Sequence, residues 1–334
     1  MKKLDFLLIP RSNYFLDTIQ ISSIQKELNK IGHNAKVLTG PVDEESLKLI
    51  LEDQHFDIIF QVNKPKSHLH KKFVNTRFIS WMNNFDQIIN KKDNFSENDI
   101  IYVLDKNNNN DLKKNILEFY PAVDVYKNDI LLRDLSLNSN LNDIQSKDIS
   151  LISNEIFLSI YDASGKILKE KFKEITNKYD KMLDSFVELK CNYKFNFFGL
   201  VNLSKKLISN KRFQFIGIIK NYNLLFDIFK ISKINILSEI SSFDFNTNFF
   251  RILSVQGLIL IDKKTKLYKK ITNLQFKENK HFICFKDVKE LETILNYYLN
   301  NNEKRLEIGI NARSLLLENH TYKHRVKQML NDLK

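Results

Sequence analysis

Two hydrophobic periods alternate along this chain. Residues 4–9 form a run that is apolar but for Asp5, of the kind that a parallel sheet buries on both faces. Pro10-Arg11-Ser12-Asn13 is a polar turn, and residues 17–31 then switch to helical spacing, with Ile19, Ile21, Ile24 and Leu28 on one side. Gly32 stands where a helix-terminating glycine belongs. Residues 35–38 read as a second strand, Gly40-Pro41 as a turn, and Asp43 as the cap of a helix reaching about residue 53. Further strands are expected at 56–62, 77–81 and 99–104. Strands alternating with helices of this length imply right-handed crossovers and a doubly wound sheet.

The second half repeats the alternation. Strands are expected at 148–153, 213–219, 233–237, 258–261 and 281–285. Helices are expected at 166–189, 223–229, 249–255, 288–299, 303–317 and 321–333. The asparagine tract at 107–110 reads as a loop, and Pro121 with the polar stretch 138–147 marks a change of domain. Two such α/β units in tandem predict a ligand-binding cleft between them.

Composition changes this picture little. The 334 residues suffice for two domains, and 43% hydrophobic and 12% aromatic content supports a substantial core. The net charge of +12 raises nucleic acid, anionic membrane and phosphorylated substrates as partners. The lysines are spread among 40 acidic residues with no basic arm and no nucleic-acid-binding signature, so no nucleic-acid partner is expected. Cys191 and Cys284 are far apart and lack metal spacing, which fits reduced core residues of a cytoplasmic protein. The first apolar run is broken by Asp5 and ended by Pro10, so it reads as a strand rather than a signal peptide. No run approaches the roughly 20 apolar residues that span a bilayer. The P-loop, G-x-G-x-x-G, G-x-S-x-G and H-E-x-x-H patterns are absent.

One stretch points to a reaction. Phe245-Asn246-Thr247-Asn248-Phe249-Phe250-Arg251-Ile252-Leu253-Ser254-Val255-Gln256-Gly257 runs into the apolar segment 258–261 and Asp262, and His320-Thr321-Tyr322-Lys323-His324-Arg325 follows later. This order resembles the C-terminal half of the CgeB-like (spore-maturation-protein-type) glycosyltransferases, whose motif is approximately N-x-R-x-F-E-x-L-A-x-G, with an H-T-Y-x-x-R ending. Asn246, Phe250, Leu253 and Asp262 agree with it. Asn248 stands at the arginine position, Arg251 at the glutamate position and Gln256 at the first glycine position. More weakly, Phe78-Ile79-Ser80-Trp81-Met82-Asn83 and Tyr120-Pro121-Ala122-Val123-Asp124 resemble the family's N-terminal segments.

The resemblance implies a GT-B architecture of two Rossmann-like domains facing a cleft, with C-terminal helices. The boundaries expected are 1–135 for the acceptor-side domain, 136–147 for a linker, 148–315 for the donor-side domain and 316–334 for a C-terminal helix. It further implies transfer of a sugar from a nucleotide-sugar to a cell-surface glycan, lipid-linked or protein acceptor. The nucleotide-sugar is substrate, and no cofactor or metal is expected. A basic surface would suit peripheral association with anionic membrane. The alternative is a catalytically inactive GT-B-fold binding or scaffold protein.

Each candidate residue has a functional and a structural reading. Arg251 would stabilise the departing diphosphate, since a guanidinium donates to phosphate and cannot replace an accepting carboxylate; otherwise it is a surface arginine. Lys220 and Asn221 are donor contacts or a polar turn, and the resemblance makes Asn246 and Asn248 donor contacts. Gln256-Gly257 either lets a phosphate approach the backbone or ends a helix. Arg11, Ser12 and Asn13 follow the first strand, where α/β proteins bind ligands, and are acceptor contacts or turn chemistry. Trp81, the single tryptophan, stacks on an acceptor sugar or fills the core. His68 and His70 read as basic surface rather than metal ligands. His320 and Arg325 read as structural.

Overall fold

The computed structural model describes residues 2–12, 15–82, 92–104, 115–124, 149–152, 195–198, 213–215, 226, 229–230, 232–237 and 248–334. The expected helix at 166–189, the asparagine tract at 107–110 and the linker lie outside them. The described elements, in chain order, are β1 (Asp5–Ile9), α1 (Phe15–Lys30), β2 (Asn34–Val37), α2 (Glu44–Asp53), β3 (Ile58–Val62), β4 (Arg77–Met82), β5 (Ile100–Val103) and β6 (Asn115–Glu118). They continue with β7 (Ile149–Ile152), β8 (Phe195–Phe198), β9 (Phe213–Phe215), β10 (Ile234–Leu237), α3 (Asn248–Ser254), β11 (Ile259–Asp262), α4 (Lys266–Asn273), β12 (Ile283–Phe285), α5 (Val288–Asn300), α6 (Asn302–Asn319) and α7 (Tyr322–Asp332). The chain divides into two compact units: Met1–Asp124 with His320–Lys334, and Val125–Asn319.

The first unit is built on a parallel sheet ordered β2-β1-β3-β4-β5-β6. Leu7 faces Lys36 of β2 on one side and Ile59 of β3 on the other. Every residue of β3 is buried, and Gln61 donates to Ser80 Oγ on β4 at 3.1 Å. The pleat sends Phe6, Leu8, Phe60, Ile79 and Trp81 to one face, and Leu7, Ile9, Ile59 and Phe78 to the other. Side chains of α1 and α7 complete the first cluster, and Leu47 and Leu51 of α2 the second. Burial of each such side chain contributes about 1.5–3 kcal/mol. Helix α1 ends as its sequence implies: Gly32 takes φ 92°, its N–H donates to Asn29, and His33 N–H donates to Leu28. Helix α2 begins where the Asp43 carboxylate accepts from Ser46 N–H at 2.7 Å.

The second unit holds a separate parallel sheet ordered β12-β11-β10-β7-β8-β9. Phe249 of α3 packs edge-on against Phe276, with centroids 5.0 Å apart, so the helix is anchored by aromatic contact before β11 begins. Asp287 caps α5 through Glu290 N–H at 2.9 Å.

The two all-parallel sheets agree with the doubly wound reading. Strands β6 and β8 and helix α4 were not anticipated. The C-terminal stretch is two helices: α6 continues to Asn319, and α7 belongs to the first unit.

Candidate functional site

Open parallel sheets bind ligands at the carboxyl ends of their strands, where the strand order reverses. The first sheet reverses between β1 and β3, the second between β7 and β10. In the second unit, α3 joins β10 to the parallel β11, so α3 begins at the carboxyl edge and ends at the amino edge. Six of its seven residues are buried, and Arg251 is the exception. The Arg251 guanidinium reaches back one turn, and its Nη1 donates to Asn248 Oδ1 at 2.9 Å. The Asn248 side chain, 1% exposed, thus turns a cation towards the N-terminal end of α3, the end at the carboxyl edge of the sheet. A guanidinium only donates, so it suits the oxygens of an anion.

Gln256 and Gly257 belong to a different place. They follow α3 at the amino edge, on the side of the sheet away from that reversal's carboxyl ends. Gln256 takes φ 61°, its N–H donates to Leu253, and Gly257 N–H donates to Ile252 at 3.0 Å. Gly309 of α6 covers the Gln256 carbonyl, and a β-carbon on Gly257 would lie 2.6 Å from Ile252 Cγ2. With both N–H groups committed and the backbone covered, no phosphate can approach there. The pair is the helix terminator, and the donor-binding reading of it is corrected. Arg313 completes this end by donating from Nε to Ser254 O at 3.0 Å. The matching Asp262 accepts from Lys264 N–H at 2.9 Å and turns the chain into α4.

In the first unit, Arg11 and Ser12 follow β1 at its reversal. Arg11 Nε donates to the Asp17 carboxylate at 3.2 Å, and Ser12 Oγ donates to it at 2.5 Å. Asn63, at φ 54°, and Lys64 follow β3 at the same reversal. These two were missed; a polar residue directly after a strand beside the reversal was the signal, legible only once strand order is known. Trp81 is corrected from an acceptor contact to core. It is 1% exposed, packs against Phe60 and Phe119, and donates from Nε1 to Phe119 O at 3.1 Å. Neither face of the indole is available to a sugar. Asn13, Lys220, Asn221 and Asn246 lie outside the described residues.

His70 is corrected from basic surface to a buried, structural residue, 2% exposed. His70 stacks on Phe78 at 5.4 Å and its Nε2 meets Glu44 O at 3.0 Å; burial holds its pKa below the usual value. Among the described residues no group of three or more His, Cys, Asp or Glu could hold a metal. Burial pushes the Cys284 thiol up to about 12, which keeps it protonated and unreactive at neutral pH. The His-Thr-Tyr-x-x-Arg segment is a clasp. Arg325 donates to Tyr120 O at 2.7 Å, to Pro121 O at 3.2 Å and to His320 Nδ1 at 3.0 Å, while Tyr322 enters the core.

Comparison with known proteins gives this geometry a context. Residues 181–331 match a family model described as "Glycosyl transferase-like". The fold is similar to a glycosyltransferase from Rickettsia africae ESF-5 (13% identity, 100% of this chain and 98% of that one, TM-score 0.65). It is similar to Anabaena Alr3699/HepE in complex with UDP and glucose (10% identity, 99% of both chains, TM-score 0.65). It is also similar to sucrose-phosphate synthase from Thermosynechococcus elongatus (8% identity, 99% and 98%, TM-score 0.64). No curated protein matches the sequence. The chain has the fold of the GT-B glycosyltransferases, and its residues 181–331 are similar to a glycosyl transferase-like family.

Proposed function

We propose that this chain is a glycosyltransferase of the CgeB-like kind, moving a sugar from a nucleotide-sugar donor to a glycan, lipid-linked or protein acceptor. The observation that carries the reading is the coincidence of two matches. The glycosyl transferase-like model falls on the residues that build α3 to α7, and a chain of this fold has been captured with UDP and glucose. In the transfer, the acceptor oxygen forms a bond to the anomeric carbon as its proton passes to the departing diphosphate. The bond from that carbon to the phosphate oxygen breaks, and its electron pair leaves with the diphosphate. Arg251 receives the growing negative charge without a metal. Arg11 and Ser12 serve the acceptor side. The excess of basic residues, larger in the second unit, suits an anionic donor and a cytoplasmic protein resting on anionic lipid. No helix among the described residues is long and apolar enough to cross a membrane.

Calorimetry with UDP-, GDP-, ADP- and CMP-sugars, followed by product analysis, tests the reading. Binding of one donor with transfer or hydrolysis is expected. Arg251→Ala should weaken nucleoside-diphosphate binding by about 10- to 100-fold, the loss of one charge-assisted hydrogen bond of roughly 1.5–3 kcal/mol. Silence across the panel would favour the scaffold alternative, and unchanged turnover in Arg251→Ala would remove its assigned role.

A further inference from the structure

The start of helix α7, where Arg325 donates to Tyr120 O and Pro121 O of the first unit, is organised by local contacts that demand uncharged imidazoles. Arg325 Nη2 donates to His320 Nδ1 at 3.0 Å, and a guanidinium has no acceptor, so that nitrogen must carry its lone pair. Thr321 N–H donates to His324 Nδ1 at 3.3 Å, and the hydroxyl of Thr321 lies 2.8 Å from the same atom. Here again a backbone N–H fixes Nδ1 as the acceptor. Both histidines lie within one turn of the start of α7, and both need the same protonation state.

The surroundings are cationic. On its own helix His324 faces Arg325, Lys323 and Lys327, and these together with burial hold its pKa below the usual histidine value, burial being the larger cause. Arg325 is itself 7% exposed, and burial pulls its guanidinium down to about 10. Tyr120, just after β6, and Tyr322, the first residue of α7, lie close to it, and Glu118 offers its main-chain carbonyl to Gln328. On α1, Asp17 is joined to Arg11, Glu27 to Lys30, and Ser23 donates to the carboxylate of Asp124 at 3.0 Å. Across the far end of α7, Asp332 accepts from Tyr102.

We propose that His320, His324 and Arg325 form a proton-sensitive latch that seats α7 on the first unit when both imidazoles are neutral and releases it when either gains a proton. Protonation at Nδ1 removes an acceptor and sets a second cation beside a buried guanidinium. The sign follows from linkage. Seating favours the neutral form, so its contribution is complete above the free histidine pKa of about 6.5 and is lost as pH falls below it. What the latch guards is the largest apolar cluster of the first unit, to which Tyr322, Val326, Met329 and Leu330 contribute. The same clasp also pins residues 120–123, since Val123 pairs with Thr321. Proton uptake therefore loosens both points at which the chain leaves this unit.

Hydrogen–deuterium exchange on the full chain at about pH 7.5 and about pH 5.5, corrected for intrinsic rates, tests the latch. Peptides from 322–332 should lose protection by about tenfold or more relative to those from 5–9 and 58–62, tenfold being one pKa unit of coupling. In His320→Asn/His324→Asn, an amide oxygen keeps the acceptor without titrating, and α7 should stay protected at the lower pH. Trp81, in the cluster that α7 covers, reports the same event by a red shift of its emission. Equal loss of protection in all three peptides of the natural chain would overturn the latch, and that comparison decides the matter even if the double variant does not fold. Acid release of α7 in a folded double variant would overturn it equally.

Discussion

At position 256 the chain places a glutamine in the left-handed region, where a β-carbon is strained by roughly 1–2 kcal/mol. Gly32 performs the same task after α1 with no such strain. Gln256→Gly should therefore raise thermal stability by about 1 kcal/mol without altering donor binding, measured by calorimetric unfolding and by titration with UDP. Gly309→Ala should do the reverse. Its new methyl would lie 2.1 Å from the Gln256 carbonyl, and overpacking of that kind costs about 1–3 kcal/mol or more. Stability unchanged in both variants would contradict the helix-terminator account. The sequence offered Gln256-Gly257 as either a phosphate contact or a helix end. Only the direction of α3 between two parallel strands separates the readings, and direction relative to a sheet is a property of topology rather than of residue pattern. Trp81 is similar: its isolation among 334 residues invites a functional role, and its neighbours Phe60 and Phe119 deny one.

Elements with strong local signals were legible. Helix α1 had its apolar stripe and terminal glycine, α2 its Asp43 cap, and β1, β3 and β4 their largely apolar runs. Those missed lacked such signals. Strand β6 is four residues after an asparagine tract, at the sheet edge, where one neighbouring strand suffices. Helix α4 hides Leu267 and Ile271 among lysines, although its Thr265 cap was there to be read. What joins elements is less visible still. Lys66, on the loop after β3, buries its ammonium against Asp99 at 2.8 Å, with exposures of 4% and 0%, and Asp99 also accepts from Phe78 N–H and Ser96 N–H. Removing one partner strands a buried charge. Asp99→Asn or Lys66→Met alone should destabilise by about 3–5 kcal/mol, and the double replacement by clearly less than the two combined. Urea unfolding of the four proteins measures this; additive losses would mean the pair is not coupled.

For the molecule as a whole, pattern alone conveyed two α/β units and the family resemblance conveyed the GT-B fold, but neither conveyed strand order. The order β2-β1-β3 in one sheet and β11-β10-β7-β8 in the other decides where ligands gather. It comes from crossovers between distant residues, which local spacing does not record. Nor did pattern show that the first unit is discontinuous, closed by α7 after the entire second unit has intervened. That arrangement has a consequence during translation. While ribosomes are still making residues 125–319, the sheet of the first unit has emerged with one face covered only by α1, because Tyr322, Val326, Met329 and Leu330 do not yet exist. Nascent chains arrested before residue 320 are expected to be cut readily by protease within residues 2–124, and chains arrested well beyond 334 to resist. The half-built sheet thus exposes apolar surface that a holding chaperone is expected to cover for as long as synthesis of the second unit lasts.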